Sequence, residues 1–136
     1  MKIRRATEDK FITRKASPGH MTELITLLST GKGTWAEVAS LIKSQPWEKV
    51  LIITDEFGSK FTGENVELIV LNLSKDTYAL RDDIKNTLKD KINGLEVAVN
   101  ISSGSGKEHM ALLAALISTG VGFRLVTLSR NRMQEL

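Results

Sequence analysis

Two short glycine-rich segments carry the residue types that most often bind phosphate groups. Residues 29–34 read STGKGT and residues 102–107 read SSGSGK. Glycines let a ligand approach the backbone closely, and hydroxyl groups donate hydrogen bonds to phosphate oxygens. Each segment adds one lysine and precedes a stretch with helical spacing, whose first N–H groups attract anions. The candidate ligand-binding residues are Ser29, Thr30, Gly31, Lys32, Gly33 and Thr34 in the first segment, and Asn100, Ser102, Ser103, Gly104, Ser105, Gly106 and Lys107 in and before the second.

Neither segment fits a common nucleotide motif well. A Walker P-loop anchored on Gly106 and Lys107 needs glycine at position 101 and a hydroxyl at 108, where this chain has Ile101 and Glu108. A P-loop is therefore disfavoured. The dinucleotide fingerprint G-x-G-x-x-G/A fits the first segment, with Gly31 and Gly33 as the first two glycines and Ala36 at the third position. Asp55 would be the ribose-binding acid. That pattern is short enough to arise by chance.

Apolar runs alternate with segments of helical spacing along the rest of the chain. The apolar runs predict strands at residues 24–29, 50–54, 66–71, 95–101 and 123–128. Helical spacing predicts helices at residues 35–44, 80–92 and 107–118. We expect Thr34 to cap the first helix, with Glu37 closing a capping box. The link at residues 55–65 is expected to hold a short helical turn, and residues 130–136 are predicted to be a polar tail.

This alternation predicts a small doubly wound α/β fold. Strands this apolar are covered on both faces, and helical crossovers imply parallel pairing. The expected structure is a Rossmann-like three-layer sandwich with a mostly parallel, five-stranded sheet in the order 3-2-1-4-5. In such sheets ligands bind where the strand order reverses, at the carboxyl ends of the strands. That point lies between the first and fourth strands, and the two glycine-rich segments follow those strands.

Positive charge is concentrated in the first 20 residues. This segment holds six Lys or Arg and two acidic residues, whereas the whole chain has a net charge of +3, so the remainder is close to −1. It ends in Ser17, Pro18 and Gly19, followed by His20 and Met21, a pair that a common cloning site encodes. We expect residues 1–20 to be a vector-derived or disordered basic leader and residues 21–136 to form one domain. The alternative is a natural basic arm for nucleic acid, and DNA binding is not expected without it.

Composition excludes several classes of protein. The chain has no cysteine, which excludes disulfides, thiol catalysis and a cysteine-ligated metal site. No apolar run reaches the length of about 20 residues that spans a bilayer. We expect a cytoplasmic protein with no metal, no cofactor and no membrane partner.

The second glycine-rich segment and its surroundings resemble a known family. The run VNISSG, small residues, a lysine and then an Ala/Leu-rich helix with an early Met110 are similar to the fourth strand and following helix of CARF domains, the Rossmann-like sensors of CRISPR-associated proteins. The matching positions are Asn100, Ser102, Ser103, Gly104, Ser105 and Lys107, with Gly106 inserted relative to the commonest form. The first segment, LLSTGKGTW, resembles the other CARF ligand loop. The resemblance covers most of residues 21–128.

The resemblance implies a two-fold homodimer that binds a cyclic oligoadenylate, often cyclic tetra-adenylate, across the dimer axis in CRISPR antiviral defence. Most CARF proteins carry a fused effector, and this chain shows none. It also implies an enzymatic alternative, because some stand-alone relatives are metal-independent ring nucleases that cleave the ligand by in-line attack of a ribose 2′-hydroxyl. Lys107, Ser105 and His109, together with Ser103, would then be the catalytic candidates.

Plainer interpretations of the same residues stay open. Ser102, Ser103 and Ser105 are also typical turn and cap residues, and His109 has the position of a helix-surface residue. Trp35 suits a core or dimer-interface position as well as an adenine-stacking one, and we expect Trp47 to pack against a helix end. Three hypotheses follow: a nucleotide sensor, a ring nuclease on the same site, and a Rossmann-like scaffold that binds protein and no small ligand.

Overall fold

The structure, a computed structural model, describes residues 22–29 and 33–136, and only the backbone of residues 33 and 34. The expectations for the leader at residues 1–20, and for Thr30, Gly31 and Lys32, lie outside the described residues. The strands are β1 (Glu23–Leu28), β2 (Lys49–Thr54), β3 (Val66–Val70), β4 (Glu96–Asn100), β5 (Gly122–Ser129) and β6 (Arg132–Glu135), and the helices are α1 (Gly33–Lys43), α2 (Thr77–Leu88) and α3 (Gly106–Thr119).

The described strands form one sheet in the order β3-β2-β1-β4-β5-β6. The first five strands of this order pair in parallel, which confirms the predicted order 3-2-1-4-5 and the doubly wound α/β class. The order reverses at β1, whose neighbours are β2 and β4. In register, Thr26 of β1 lies beside Asn100 of β4. The carboxyl ends of β1 and β4 therefore meet at the predicted switch point.

The prediction of a polar tail at residues 130–136 is wrong, because Arg132–Glu135 form a sixth strand, β6. β6 pairs antiparallel with β5 and forms the edge of the sheet. Arg130 and Asn131 connect the two strands with φ values of 54° and 63°. Positive φ at both central residues is typical of a two-residue hairpin turn. Met133 packs against the core, while the other residues of β6 are exposed, so the strand lacks an apolar run.

The sheet separates two apolar clusters, which gives the predicted three layers. Helices α2 and α3 cover one face, and α1 with the residues that follow β2 covers the other. The first cluster includes Ile25, Leu27, Val97, Val99, Ile84 and Leu112, and the second includes Leu24, Leu28, Ala98, Val38, Leu41 and Trp47. Alternate residues of β1 and β4 contribute to opposite clusters because successive strand side chains point to opposite faces.

The helices form where periodicity predicts, but their bounds differ from the prediction. Helix α2 ends at Leu88, with Lys89 as its C-cap, and not at residue 92. Helix α1 begins at Gly33, so Thr34 lies inside the helix and cannot be its N-cap. Helix α2 begins three residues earlier than predicted, because the side chain of Asp76 accepts a hydrogen bond from the N–H of Ala79 at 2.8 Å. Trp47 packs against the end of α1 as predicted, and its indole donates to the carbonyl of Leu41 at 3.1 Å.

The link between β2 and β3 holds the predicted helical turn, a 3₁₀ turn at Glu56–Gly58. Asp55 caps this turn by accepting a hydrogen bond from the N–H of Phe57 at 2.9 Å. Thr54, the last residue of β2, donates its hydroxyl to the carbonyl of Leu28 at 2.5 Å. The carboxyl ends of β1 and β2 are therefore joined by a side chain as well as by the sheet.

Substitution of Ile84 by alanine is expected to destabilise the fold strongly. Ile84 on α2 is fully buried, and loss of such a side chain costs about 2–5 kcal/mol. Val70 on the edge strand β3 is 50% exposed, so Val70→Ala should change the free energy of unfolding by about 1 kcal/mol at most. Urea unfolding followed by circular dichroism measures both. Equal losses in the two variants would contradict this placement of the core.

Candidate functional site

The candidate site lies where the loops after β1 and β4 meet. Ser29 follows β1 directly, and the turn at residues 101–105 connects β4 to α3. The predicted residues Ser29, Asn100 and 102–107 are thus brought to one edge of the sheet. Thr30, Gly31 and Lys32 of the first loop lie outside the described residues, and Gly33 and Thr34 are described by their backbone alone, as the first residues of α1.

The buried side-chain amide of Asn100 supports the second loop. The side chain of Asn100 is 3% exposed and accepts hydrogen bonds from the hydroxyl of Thr26 at 3.4 Å and from the N–H of Ser102 at 3.2 Å. Its Nδ2 donates to the hydroxyl of Ser102 at 3.0 Å and to the carbonyl of Val126 at 2.9 Å. Both polar atoms of the amide are therefore used within the protein. Asn100 lies under the loop and holds it.

A second contact joins the two loops to each other. The hydroxyl oxygen of Ser103 accepts a hydrogen bond from the backbone N–H of Ser29 at 3.2 Å. Both residues are buried. Because the bond connects residues 74 positions apart, it fixes the spacing between the loop after β1 and the loop after β4. Ser103 is thus a bridging residue and not a turn residue alone.

Gly104 is the point at which the second loop turns toward α3. Its φ is 106°, a backbone conformation that side chains other than glycine rarely adopt. A Cβ here would lie 3.0 Å from Oε1 of Glu108, 3.2 Å from Nε2 of His109 and 3.2 Å from Cδ1 of Leu27. Conformation and close packing therefore both require glycine at this position.

The start of α3 is closed by a capping box. The hydroxyl of Ser105 accepts from the N–H of Glu108 at 3.3 Å, and the Glu108 carboxylate accepts from the N–H of Ser105 at 3.0 Å. The N–H of His109 donates to the carbonyl of Ser105. Two N–H groups of the first turn, those of Gly106 and Lys107, have no acceptor among the described residues. They are the donors that an anion at this edge would meet.

Two side chains of the site, those of Lys107 and His109, are held by backbone carbonyls. Nζ of Lys107 donates to the carbonyl of Lys75, in the turn before α2, at 2.7 Å. Nε2 of His109 lies 2.9 Å from the carbonyl oxygen of Ser103. The Glu108 carboxylate is buried beside Gly104, in the turn between β4 and α3. Neither Lys107 nor His109 is therefore a freely rotating side chain in this state.

The structure adds an aromatic cluster that the sequence analysis missed. Trp35, in the first turn of α1, meets the rings of Phe57 and Phe61 edge to face, with ring centroids 5.5 Å and 6.0 Å apart. The ring of Phe57 is half exposed. Nε1 of Trp35 is buried with no hydrogen-bond partner in the described structure. The sequence does contain one signal for this cluster, because Phe57 follows β2 closely and so lies at the carboxyl edge of the sheet, where α/β folds of this class usually bind ligands.

Comparison with known proteins does not assign the chain to a family. No protein-family model matches the chain, and no curated protein matches it significantly. Over residues 22–29 and 33–136, no helix is long and apolar enough to cross a membrane. In the same residues, no three His, Cys, Asp or Glu side chains form a group that could hold a metal ion. Function must be inferred from the chemistry of the two loops.

Substitution of Gly104 by alanine should destabilise the protein, whereas Gly106→Ala should not. The first change combines a positive φ with a Cβ in close contact, so we expect a loss of about 1–3 kcal/mol. A Cβ on Gly106 meets nothing within 4 Å, and this residue is helical. Denaturant unfolding of the two variants tests the difference. A Gly104→Ala variant as stable as Gly106→Ala would contradict the loop geometry.

Proposed function

We propose that the paired loops after β1 and β4 bind a phosphate-linked nucleotide, and that the ligand is a cyclic oligoadenylate of the kind that CARF domains sense. The observation that carries the proposal is the pair of N–H groups at Gly106 and Lys107, which have no acceptor in the part of the chain that the structure describes and lie beside two loops joined at the switch point. Such donors bind phosphate oxygens, and a loop fixed before binding loses little entropy when the ligand arrives. The protein would act in the cytoplasm as a sensor in CRISPR defence.

The aromatic cluster supports a ligand that contains bases as well as phosphates. Phe57 exposes half of its ring at the same edge of the sheet, and Trp35 behind it belongs to the helix that follows the first loop. Stacking of a base on an aromatic ring contributes about 1–3 kcal/mol. A polar backbone site that shares the carboxyl edge of the sheet with an exposed ring therefore suits a nucleotide better than free phosphate.

Binding without cleavage is the form of the proposal that the hydrogen bonds favour. A ring nuclease would use Lys107, Ser105 or His109 to stabilise charge or to move a proton. Lys107 and His109 are engaged by backbone carbonyls, and the Ser105 hydroxyl is part of the helix cap. Cleavage would require these contacts to break first. Recovery of intact ligand after incubation, measured by chromatography, is the expected result, and stoichiometric cleavage would instead support the enzyme.

Ligand binding can be followed through the fluorescence of Trp35. Trp47 is buried at the opposite end of α1, so a Trp47→Phe background leaves Trp35 as the sole tryptophan. Cyclic tetra-adenylate should change its emission saturably, whereas linear tetra-adenylate and ATP should act only at much higher concentration. No binding of any of the three by fluorescence and by calorimetry would reject the sensor and favour a protein-interaction scaffold.

Gly106→Pro should weaken the binding of cyclic tetra-adenylate by about tenfold or more, the effect of one lost hydrogen bond to a charged group. Proline is favoured at the first position of a helix and removes one of the two N–H donors. The preceding residue, Ser105, has φ −98° and ψ 166°, which proline accepts, so the fold should be retained. Gly106→Ala keeps the N–H and is the matched control, expected to bind like wild type. Equal affinities of the two variants would contradict the role of this donor.

Glu108→Gln should increase the affinity for cyclic tetra-adenylate by about three- to tenfold. Glutamine also closes a capping box, so the helix start is kept while one negative charge near the phosphates is removed. Glu48→Gln, at an exposed residue beside the start of β2 and away from the loops, is the control and should not change the affinity. Isothermal titration at low and high salt measures both, and the gain should shrink as salt rises. Unchanged affinity in Glu108→Gln would place the phosphates away from this helix start.

A further inference from the structure

A cleft of about 750 Å³ lies between the carboxyl end of α1 and the residues that lead into β3, a volume that suits a small organic molecule. Its walls include Ile42 and Pro46 on one side and Phe61 on the other, and the buried residues Trp47 and Val50 also line it. These walls precede β2 and β3, so the cleft lies at the amino edge of the sheet. The length of β2, roughly 17 Å, separates it from the loops at the carboxyl edge.

The carboxyl end of α1 presents two backbone carbonyls without a donor. Pro46 has no N–H, so the carbonyl of Ile42 lacks the partner that a continuing helix would supply. The N–H of Trp47 donates to the carbonyl of Gln45 at 2.9 Å, and not to that of Lys43. In the part of the chain that the structure describes, neither the Ile42 nor the Lys43 carbonyl accepts a hydrogen bond. Both residues line the cleft, and the negative end of the helix dipole favours a cation there.

The opposite wall carries a carboxylate without a partner of its own. Glu64 lines the cleft, is exposed, and its side chain makes no ion pair or hydrogen bond with any described residue. The loop that carries it is held at both ends. The N–H of Phe61 donates to the carbonyl of Gly58 at 3.1 Å, and the carbonyl of Asn65 accepts from the N–H of Val50 at 2.9 Å. A ligand would therefore meet a wall that is already formed, and its binding would cost little ordering of the chain.

One positive side chain borders the same cleft. Lys43, the last residue of α1, is exposed and makes no ion pair with a described residue. Its ammonium complements the helix dipole and would compete with a ligand cation for the same oxygens. Neutralising Lys43 should therefore strengthen the binding of a cation, whereas neutralising Glu64 should weaken it.

We propose that this cleft binds a small organic cation, a primary ammonium attached to an aromatic or apolar body. An ammonium has N–H donors for both unpaired carbonyls and for the Glu64 carboxylate, while the apolar body packs against Phe61 and the ring of Pro46. An apolar cleft with a few polar groups is the usual form of a small-molecule site. An anion would meet the carboxylate and the carbonyl oxygens and is not expected to bind. This site does not depend on the function proposed for the loops at the carboxyl edge.

Three probes of similar shape test the preference for positive charge: phenethylamine, phenethyl alcohol and hydrocinnamate. Titration of the full chain, followed by NMR of the backbone amides, should give phenethylamine a dissociation constant in the millimolar range, as expected for so small a ligand. The alcohol should bind about threefold more weakly, and the acid about tenfold more weakly or less. The largest shifts should fall on residues that line the cleft, such as Ile42 and Glu64. Absence of amine binding, equal binding of amine and acid, or shifts at Gly106 and Lys107 instead, overturns the proposal.

Two variants should change the affinity for phenethylamine in opposite directions. Glu64→Gln should weaken binding by about threefold and Lys43→Gln should strengthen it by about two- to threefold, the effect of one exposed charge. Asp90→Asn and Lys89→Gln neutralise exposed residues at the end of α2, on the other face of the sheet, and are the matched controls with unchanged affinity. All four positions are exposed, so each variant should keep the circular dichroism of the folded chain. Affinities of Glu64→Gln and Lys43→Gln that match their controls, or that change in the same direction, overturn the proposal.

Discussion

The carboxyl edge of this sheet depends on the side-chain amide of Asn100. It is buried at the strand junction where the sheet order reverses, and it makes hydrogen bonds to β1, to β5 and to the turn that leaves β4. An apolar residue here would leave the hydroxyl of Thr26 and the carbonyl of Val126 without this partner. An unsatisfied buried polar group costs about 1–3 kcal/mol. Asparagine is suited to the position because it both donates and accepts, which neither aspartate nor an aliphatic residue can do.

The other contacts of the site follow from the hydrogen bonds of the Asn100 amide. With Ser102 held, Ser103 reaches the N–H of Ser29 and the loop of β1 is joined to the loop of β4. Gly104 then turns the chain at a positive φ, and the Ser105–Glu108 cap starts α3 within hydrogen-bonding distance of the turn. The result is a loop in which the N–H groups of Gly106 and Lys107, without an acceptor among the described residues, are fixed by contacts within the protein. Such preorganisation would let these two donors contribute appreciably to the proposed binding.

The sequence was sufficient for the sheet order and the switch point, because apolar strands linked by helical crossovers allow few topologies. It failed at β6, whose residues alternate too weakly to distinguish an exposed edge strand from a tail. It also predicted that the loops after β1 and β4 lie at one edge of the sheet, which the structure confirms. The spacing of Ser105 and Glu108 fits a capping box, and the comparison of Glu108 with a P-loop alone does not reveal it. The orientation of Lys107 toward the carbonyl of Lys75, and the meeting of Trp35 with Phe57 and Phe61, depend on tertiary contacts that no local pattern encodes.

Helix α3 joins the candidate site to the core. Its first turn carries the N–H groups of Gly106 and Lys107, which have no acceptor among the described residues. The inner face of the helix, with Ala111, Leu112, Ala115 and Leu116, is fully buried, so the helix is expected to move as a rigid element. A phosphate held at this first turn, as proposed, would therefore meet donors that core packing already holds in place, and the entropy lost on binding would be small.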